Sequence, residues 1–193
     1  RHKVDIARVN GEFDLKRLQA DGRPGVLLVV HDRSGGTLRH VHELAEHLSD
    51  MGHFYTLTPT GGGGVTLRLI DAGPTFALQF VLPDEVDALL HALRGLGIVL
   101  VHFHHLIGHG DDILGLPARL GVPFDFTAHD YYTFCPQISL TDASNRYCGE
   151  LGLEQCTRCL VRSPAPGGKS ITVWRAKYRE FLQRARTVYA PSI

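Results

Sequence analysis

Three clusters of side chains carry the chemistry of this chain. The first is His129-Asp130-Tyr131-Tyr132. An imidazole there can move a proton or donate a hydrogen bond to a hydroxyl, and a histidine capping a sheet is the plainer alternative. Asp130 need not touch His129, because strand neighbours point to opposite faces. Tyr131 and Tyr132 can stack on a substrate ring or pack inside. The second cluster is His102-Phe103-His104-His105. Strand alternation sends His102 and His104 to one face and His105 to the other. No carboxylate stands at familiar ligand spacing, so contacts to a bound ligand are the better reading than a metal centre. His109 is a weaker candidate. The third cluster is the pair Gly35-Gly36, between an apolar run and a helical pattern. Glycines admit a ligand close to the backbone, and a helix N-terminus favours an anion such as phosphate. A simple tight turn is the alternative. The full dinucleotide fingerprint fails, because His40 stands where its third glycine belongs, which argues against NAD.

The four cysteines are Cys135, Cys148, Cys156 and Cys159. Cys156 and Cys159 have the spacing that turns two thiolates toward one ion. The other separations match no standard zinc finger. Structural zinc is the best fit, with an iron–sulfur cluster, disulfides and free thiols as alternatives. A thioredoxin-type role fits less well, because the pair does not open a helix after a strand. Lys169 and Arg175 can meet a phosphate or line a solvated face.

These groups need a scaffold, and the pattern supplies one. Gly25 to Val30 is a continuous apolar run, as expected of a strand buried on both faces. Leu38, Val41, Leu44, Ala45 and Leu48 recur at helical spacing, with Gly52 as a C-cap. Strands follow at His53–Thr58, Val65–Ile70 and Thr75–Val81, with Gly61 to Gly64 as a flexible link. Pro83 opens a helix through Val86, Leu89, Leu90 and Leu93. Ile98–Val101 is a strand that runs into the histidines. Residues 111 to 120 are helical with a kink or restart at Pro117. Pro123–Ala128 is the next strand. A last helix, Ile171–Arg184, carries Val173, Trp174, Tyr178, Phe181 and Leu182, and Thr187–Ala190 is a last strand. The fold class is α/β: a Rossmann-like parallel sheet flanked by helices. Residues 1–24 read as a lead-in with one short helix, Phe13 to Leu18. Residues 25–193 read as the domain proper. Within it, 133–170 is a long loop of poor periodicity, which implies a cysteine clamp of some kind.

Composition narrows the function. The 193 residues carry 20 Lys+Arg against 20 Asp+Glu, so no basic surplus points to nucleic acid. No apolar run approaches the roughly 18 residues of a spanning helix, and no secretory signal opens the chain, which points to a cytoplasmic protein.

Val26 to Asp32, then Gly35-Gly36-Thr37-Leu38-Arg39-His40 and Glu43-Leu44-Ala45, resembles the start of the group 1 glycosyltransferases, family 4. Val101 to His105, Leu120 to Pro123 and Thr127 to Tyr132 are similar to the middle of that family's N-terminal domain. Cys135-Pro136 with the Cys156/Cys159 pair resembles a subset of bacterial members, and Ala190-Pro191-Ser192 resembles the exit toward a second domain. The resemblance implies one half of a GT-B fold, the acceptor-side domain of a retaining enzyme. Its nucleotide-sugar donor would be bound mainly by a C-terminal domain beyond this chain, and the isolated half would be inactive or nearly so. The acceptor would be a sugar or a lipid-linked glycan in cell-surface polysaccharide synthesis, with the full-length protein cytoplasmic and peripheral to the inner membrane. By position, His129 would contact the transferred sugar, Gly35 and Gly36 would lie near the reacting centre, and Tyr131 and Tyr132 would lie on the acceptor side. Any metal would be structural. The rival reading is a non-enzymatic, zinc-clamped module that binds a glycan or a protein.

Overall fold

Continuous apolar runs become strands covered on both faces, and β1 (Gly25–Val29) follows that rule. The computed structural model describes residues 22–70, 77–142, 144–149 and 152–190. It divides into two units, Arg1–Thr127 and Ala128–Ile193.

In the first unit, β2 (His53–Gly61), β3 (Gly64–Leu69), β4 (Ala77–Val81), β5 (Ile98–Phe103) and β6 (Phe124–Thr127) join β1 in the order β4-β3-β2-β1-β5-β6. The strands β2, β1, β5 and β6 run parallel. The pairs β2–β3 and β3–β4 are antiparallel, so the expected parallel sheet is mixed at one edge. The cause lies in the glycines. The stretch Gly61–Gly64, expected as a flexible link, is a hairpin turn with φ of 80°, 56° and 81° at Gly61, Gly62 and Gly63. Side chains resist those angles, and a connection this short cannot make the crossover a parallel pair needs.

Helix α1 (Gly36–His47) lies between β1 and β2, with Val41 and Ala45 buried. They pack with Leu28, Val30 and Phe54, and Leu38 and Leu48 close the edge. Leu27 and Val29, which alternate to the other face, are also fully buried. Each such leucine contributes about 2 kcal/mol against its exposed state. The cap residue of α1 is Leu48, not Gly52. Gly52 instead leads into β2, where a Cβ would come within 2.5 Å of the Pro24 carbonyl oxygen.

Helix α2 (Val86–Gly95) buries Leu89, Leu90, Ala92 and Leu93. A 3-10 turn, Asp111–Gly115, leads into α3 (Leu116–Leu120), with Pro117 in the first helical turn. Pro117 therefore marks a restart, where its missing N–H costs nothing.

The second unit contains α4 (Leu153–Arg162), α5 (Ile171–Gln183) and β7 (Thr187–Tyr189). Ser170 caps α5, its hydroxyl accepting from the Val173 amide at 3.3 Å. The buried stripe of α5 is Ile171, Trp174, Tyr178 and Phe181. Val173, expected inside, is 53% exposed, and Leu182 is only half-buried. The segment 133–170, expected to lack periodicity, holds α4. The expected helix Phe13–Leu18, the start of the strand Thr75–Val81 and the exit at Pro191 lie outside the described residues.

Candidate functional site

The register of the parallel strands sets the first part of the site. Val29 of β1 pairs with Phe103 of β5, so both strands end side by side. The amides of His104 and His105 donate to the Val29 carbonyl at 2.8 and 3.3 Å. What each chain does next is therefore delivered to one edge, the carboxyl edge, where open α/β sheets place ligands.

That edge is built of histidine. His31 follows β1, and its ring meets that of His105 edge-on at 4.9 Å. Both are buried. His31 Nδ1 accepts from the Arg33 amide and His105 Nδ1 from the Ile107 amide, each at 3.1 Å. A neutral imidazole whose Nδ1 accepts carries its proton on Nε2, so both rings present Nε2–H as a donor. On the opposite face His102 stacks on His104 at 4.2 Å, and His40 of α1 lies 5.5 Å from His104. Alternation along β5 thus separates His102 and His104 from His105 as expected. His102 Nε2 lies 2.8 Å from Thr127 Oγ1.

His109, in the loop after β5, is strongly perturbed. Its Nε2–H donates to the Val30 carbonyl at 3.0 Å. Its Nδ1 is buried and has no hydrogen-bond partner among the described residues. Burial pushes its pKa down to about 4, against the favourable bond to Val30. It is neutral at pH 7, so it fixes the loop by shape and hydrogen bonding rather than by charge.

Gly35 precedes α1 with φ 144° and ψ −170°, a backbone region that side chains avoid. A Cβ at Gly35 or Gly36 would meet nothing within 4 Å. Among the described residues no side chain caps α1, and no acidic residue sits in its first turn. The partial positive charge at the start of this 12-residue helix is therefore not offset by its own sequence. First-turn amides beside open space suit an anion or a sugar oxygen.

In the second unit, His129 is half-buried. Asp130 Oδ1 accepts from the Tyr132 amide at 2.8 Å, which gives that carboxylate a turn-forming role. Tyr131 is 52% exposed. Tyr132 is buried against Trp174 and Tyr178, at ring separations of 5.1 and 5.9 Å, and its carbonyl accepts from Trp174 Nε1 at 2.8 Å. Of the two tyrosines expected at a substrate, Tyr132 is thus a core residue, and Tyr131 is the one with an accessible ring. Arg175 stacks on Phe134 at 3.8 Å and donates to the Phe134 carbonyl at 3.2 Å and to Cys156 Sγ at 3.5 Å. Its guanidinium is held by this unit's own groups. The four cysteines are not joined to one another by disulfides, with Cys135 buried and the other three half-buried. The pair Cys156 and Cys159 lies inside α4, whose fourth residue is Cys156.

His31, His40 and His109 are the site residues that sequence reasoning undervalued. A signal was present for His31: it directly follows a buried apolar run, as His102 does in β5. His40 and His109 depend on how α1 and the loop after β5 fold back, which no local pattern encodes.

A Rossmann-like α/β unit with polar groups gathered at the carboxyl ends of its parallel strands is a scaffold that seats ligands at that edge. The family model for Glycosyltransferase Family 4 matches residues 34–193, and the chain belongs to that family. No curated protein and no solved structure matched it. Among the described residues, no helix is long and apolar enough to cross a membrane.

Proposed function

We propose that this chain is the acceptor-side half of a retaining glycosyltransferase that works opposite a domain holding a nucleotide-sugar. The observation that carries the proposal is the uncapped start of α1 at Gly35-Gly36, with open space before it, in a family of glycosyl-transferring proteins. In the reaction the bond from the anomeric carbon to the donor diphosphate breaks. A bond from the acceptor hydroxyl forms, and the hydroxyl proton leaves with the diphosphate. First-turn amides of α1 favour the developing phosphate charge without a metal. His129 positions a hydroxyl of the transferred sugar. The exposed Tyr131 ring stacks on the acceptor. The acceptor is a glycan or a lipid-linked sugar of cell-surface polysaccharide synthesis. The transferred group is a hexose, and the protein acts in the cytoplasm at the membrane periphery.

The test uses a protein that carries both halves and a panel of nucleoside-diphosphate hexoses, with release of the nucleoside diphosphate as the readout. His129→Ala lowers turnover by roughly 10²-fold, the scale for loss of one positioned polar group, and leaves the melting temperature unchanged. Turnover near that of the unaltered enzyme would remove His129 from the reaction.

A further inference from the structure

We infer that the outer face of α4, with the groove between it and the start of α5, is a docking surface for a bilayer rich in anionic lipid. The inference gives the proposed membrane periphery a definite surface, and to that extent it rests on that reading.

The helix itself lacks a partner. Helix α4 has ten residues, and none of them is buried. Helices of that length are marginal in water unless an apolar face is covered. Leu153, Leu160 and Val161 stand at i, i+7 and i+8, which makes one stripe at the helical period. Leu153 and Val161 are 51% and 79% exposed, and Leu160 is only half-buried. Glu154, Arg158 and Arg162 stand at i, i+4 and i+8 and form the neighbouring stripe. Arg158 donates to the Glu154 carboxylate at 2.8 Å. The apolar stripe runs into a groove of about 190 Å³ within the second unit. Leu160, Val161, Pro164 and Ile171 line it, and Lys169 stands in its wall. The first turn of α5 adds the exposed Val173.

Charge selects the occupant. The neutrality of the whole chain conceals a division. Residues 153–190 hold eight Lys+Arg against two Asp+Glu, which leaves 12 against 18 elsewhere in the chain. Of these cations Arg175 is turned to Phe134, whereas Arg158, Arg162, Arg179 and Arg184 are exposed. Basic groups beside an exposed apolar stripe are the pairing that holds an anionic bilayer. The stripe enters the boundary between headgroups and acyl chains while the cations meet lipid phosphates. A nucleic acid would use the cations alone and leave Val161 and the groove in water.

The experiment is sedimentation with vesicles of phosphatidylglycerol and phosphatidylcholine in equal parts, against vesicles of phosphatidylcholine alone. It is run on this chain and on a protein that carries both halves. Both should bind the anionic vesicles roughly tenfold more tightly than the neutral ones, and added salt should weaken the binding. Val161→Asp should lower binding roughly tenfold and Arg162→Gln roughly fivefold. Arg68→Gln, on β3 of the first unit, should leave it unchanged. All three positions are exposed, and an unchanged melting temperature shows that each variant folds. Transferase turnover on a water-soluble acceptor is read alongside in the two-half protein. Turnover without vesicle binding overturns the surface and leaves the transferase reading standing, and vesicle binding without turnover does the reverse. Equal binding to neutral vesicles would overturn the inference. So would a loss in Arg162→Gln without one in Val161→Asp, as a nucleic acid or an acidic protein would give. Binding by this chain that disappears when the second half is present would overturn it too, because that half would then cover the face.

Discussion

Stability should fall as the medium is acidified, and His109 should be a main reason. The ring is buried, donates from Nε2 to the Val30 carbonyl, and takes up a proton only at about pH 4. In the unfolded chain the same group titrates near pH 6.5. Between those values the unfolded state binds more protons than the folded one, so stability decreases as pH falls through this window. The full difference is roughly 3 kcal/mol, and the part lost between pH 7 and pH 5 is about 2 kcal/mol. His105 and His31, when charged, oppose protonation of His109, and Asp32 favours it, but burial outweighs them all. The perturbation is His109→Gln, because an amide can still donate to Val30 but does not titrate. Denaturant unfolding at pH 7 and pH 5, for both proteins, isolates the effect from the other groups. The unaltered chain should lose about 2 kcal/mol more than the variant on acidification. Curves that shift together by equal amounts would refute the reasoning and show that His109 is not held neutral by burial.

Gly35 and Gly36 differ in what they require. Neither would meet a clash on gaining a Cβ, but only Gly35 has a positive φ. In chemical denaturation Gly35→Ala should cost about 1–2 kcal/mol, whereas Gly36→Ala, inside α1, should be neutral or stabilising by up to about 1 kcal/mol. Trp174→Phe removes the donor to the Tyr132 carbonyl and part of the buried ring volume. It should cost about 2–3 kcal/mol in the same assay, and a cost under about 0.5 kcal/mol would show that this bond is not made.

Runs and periods in the chain were enough for the elements that rest on strong local preference. Gly25 to Val29 is a strand because an unbroken apolar run has no polar side to offer water, and the apolar start of Ile98 to Phe103 carries the same signal as far as Val101. Helix α1 was legible because Val41 and Ala45 recur at the helical period, and alternation alone separated His104 from His105. The family resemblance, too, was visible in the motifs from Gly35 to His129. Four-glycine flexibility and a tight hairpin look the same in sequence, so only the registered pairing of β2 with β3 reveals the antiparallel edge. Helix α4 escaped notice although Leu153, Cys156 and Leu160 recur at helical spacing, because the flanking glycine- and proline-rich stretches read as one long loop. His31, His40 and His109 join the histidine edge through contacts between residues far apart in the chain, as in the bond from His109 to Val30. Composition and period thus determined which elements form and which groups are chemically competent. Strand order and the folding back of loops decided which of those groups meet, because adjacency in a sheet is set by long-range packing that no local window contains.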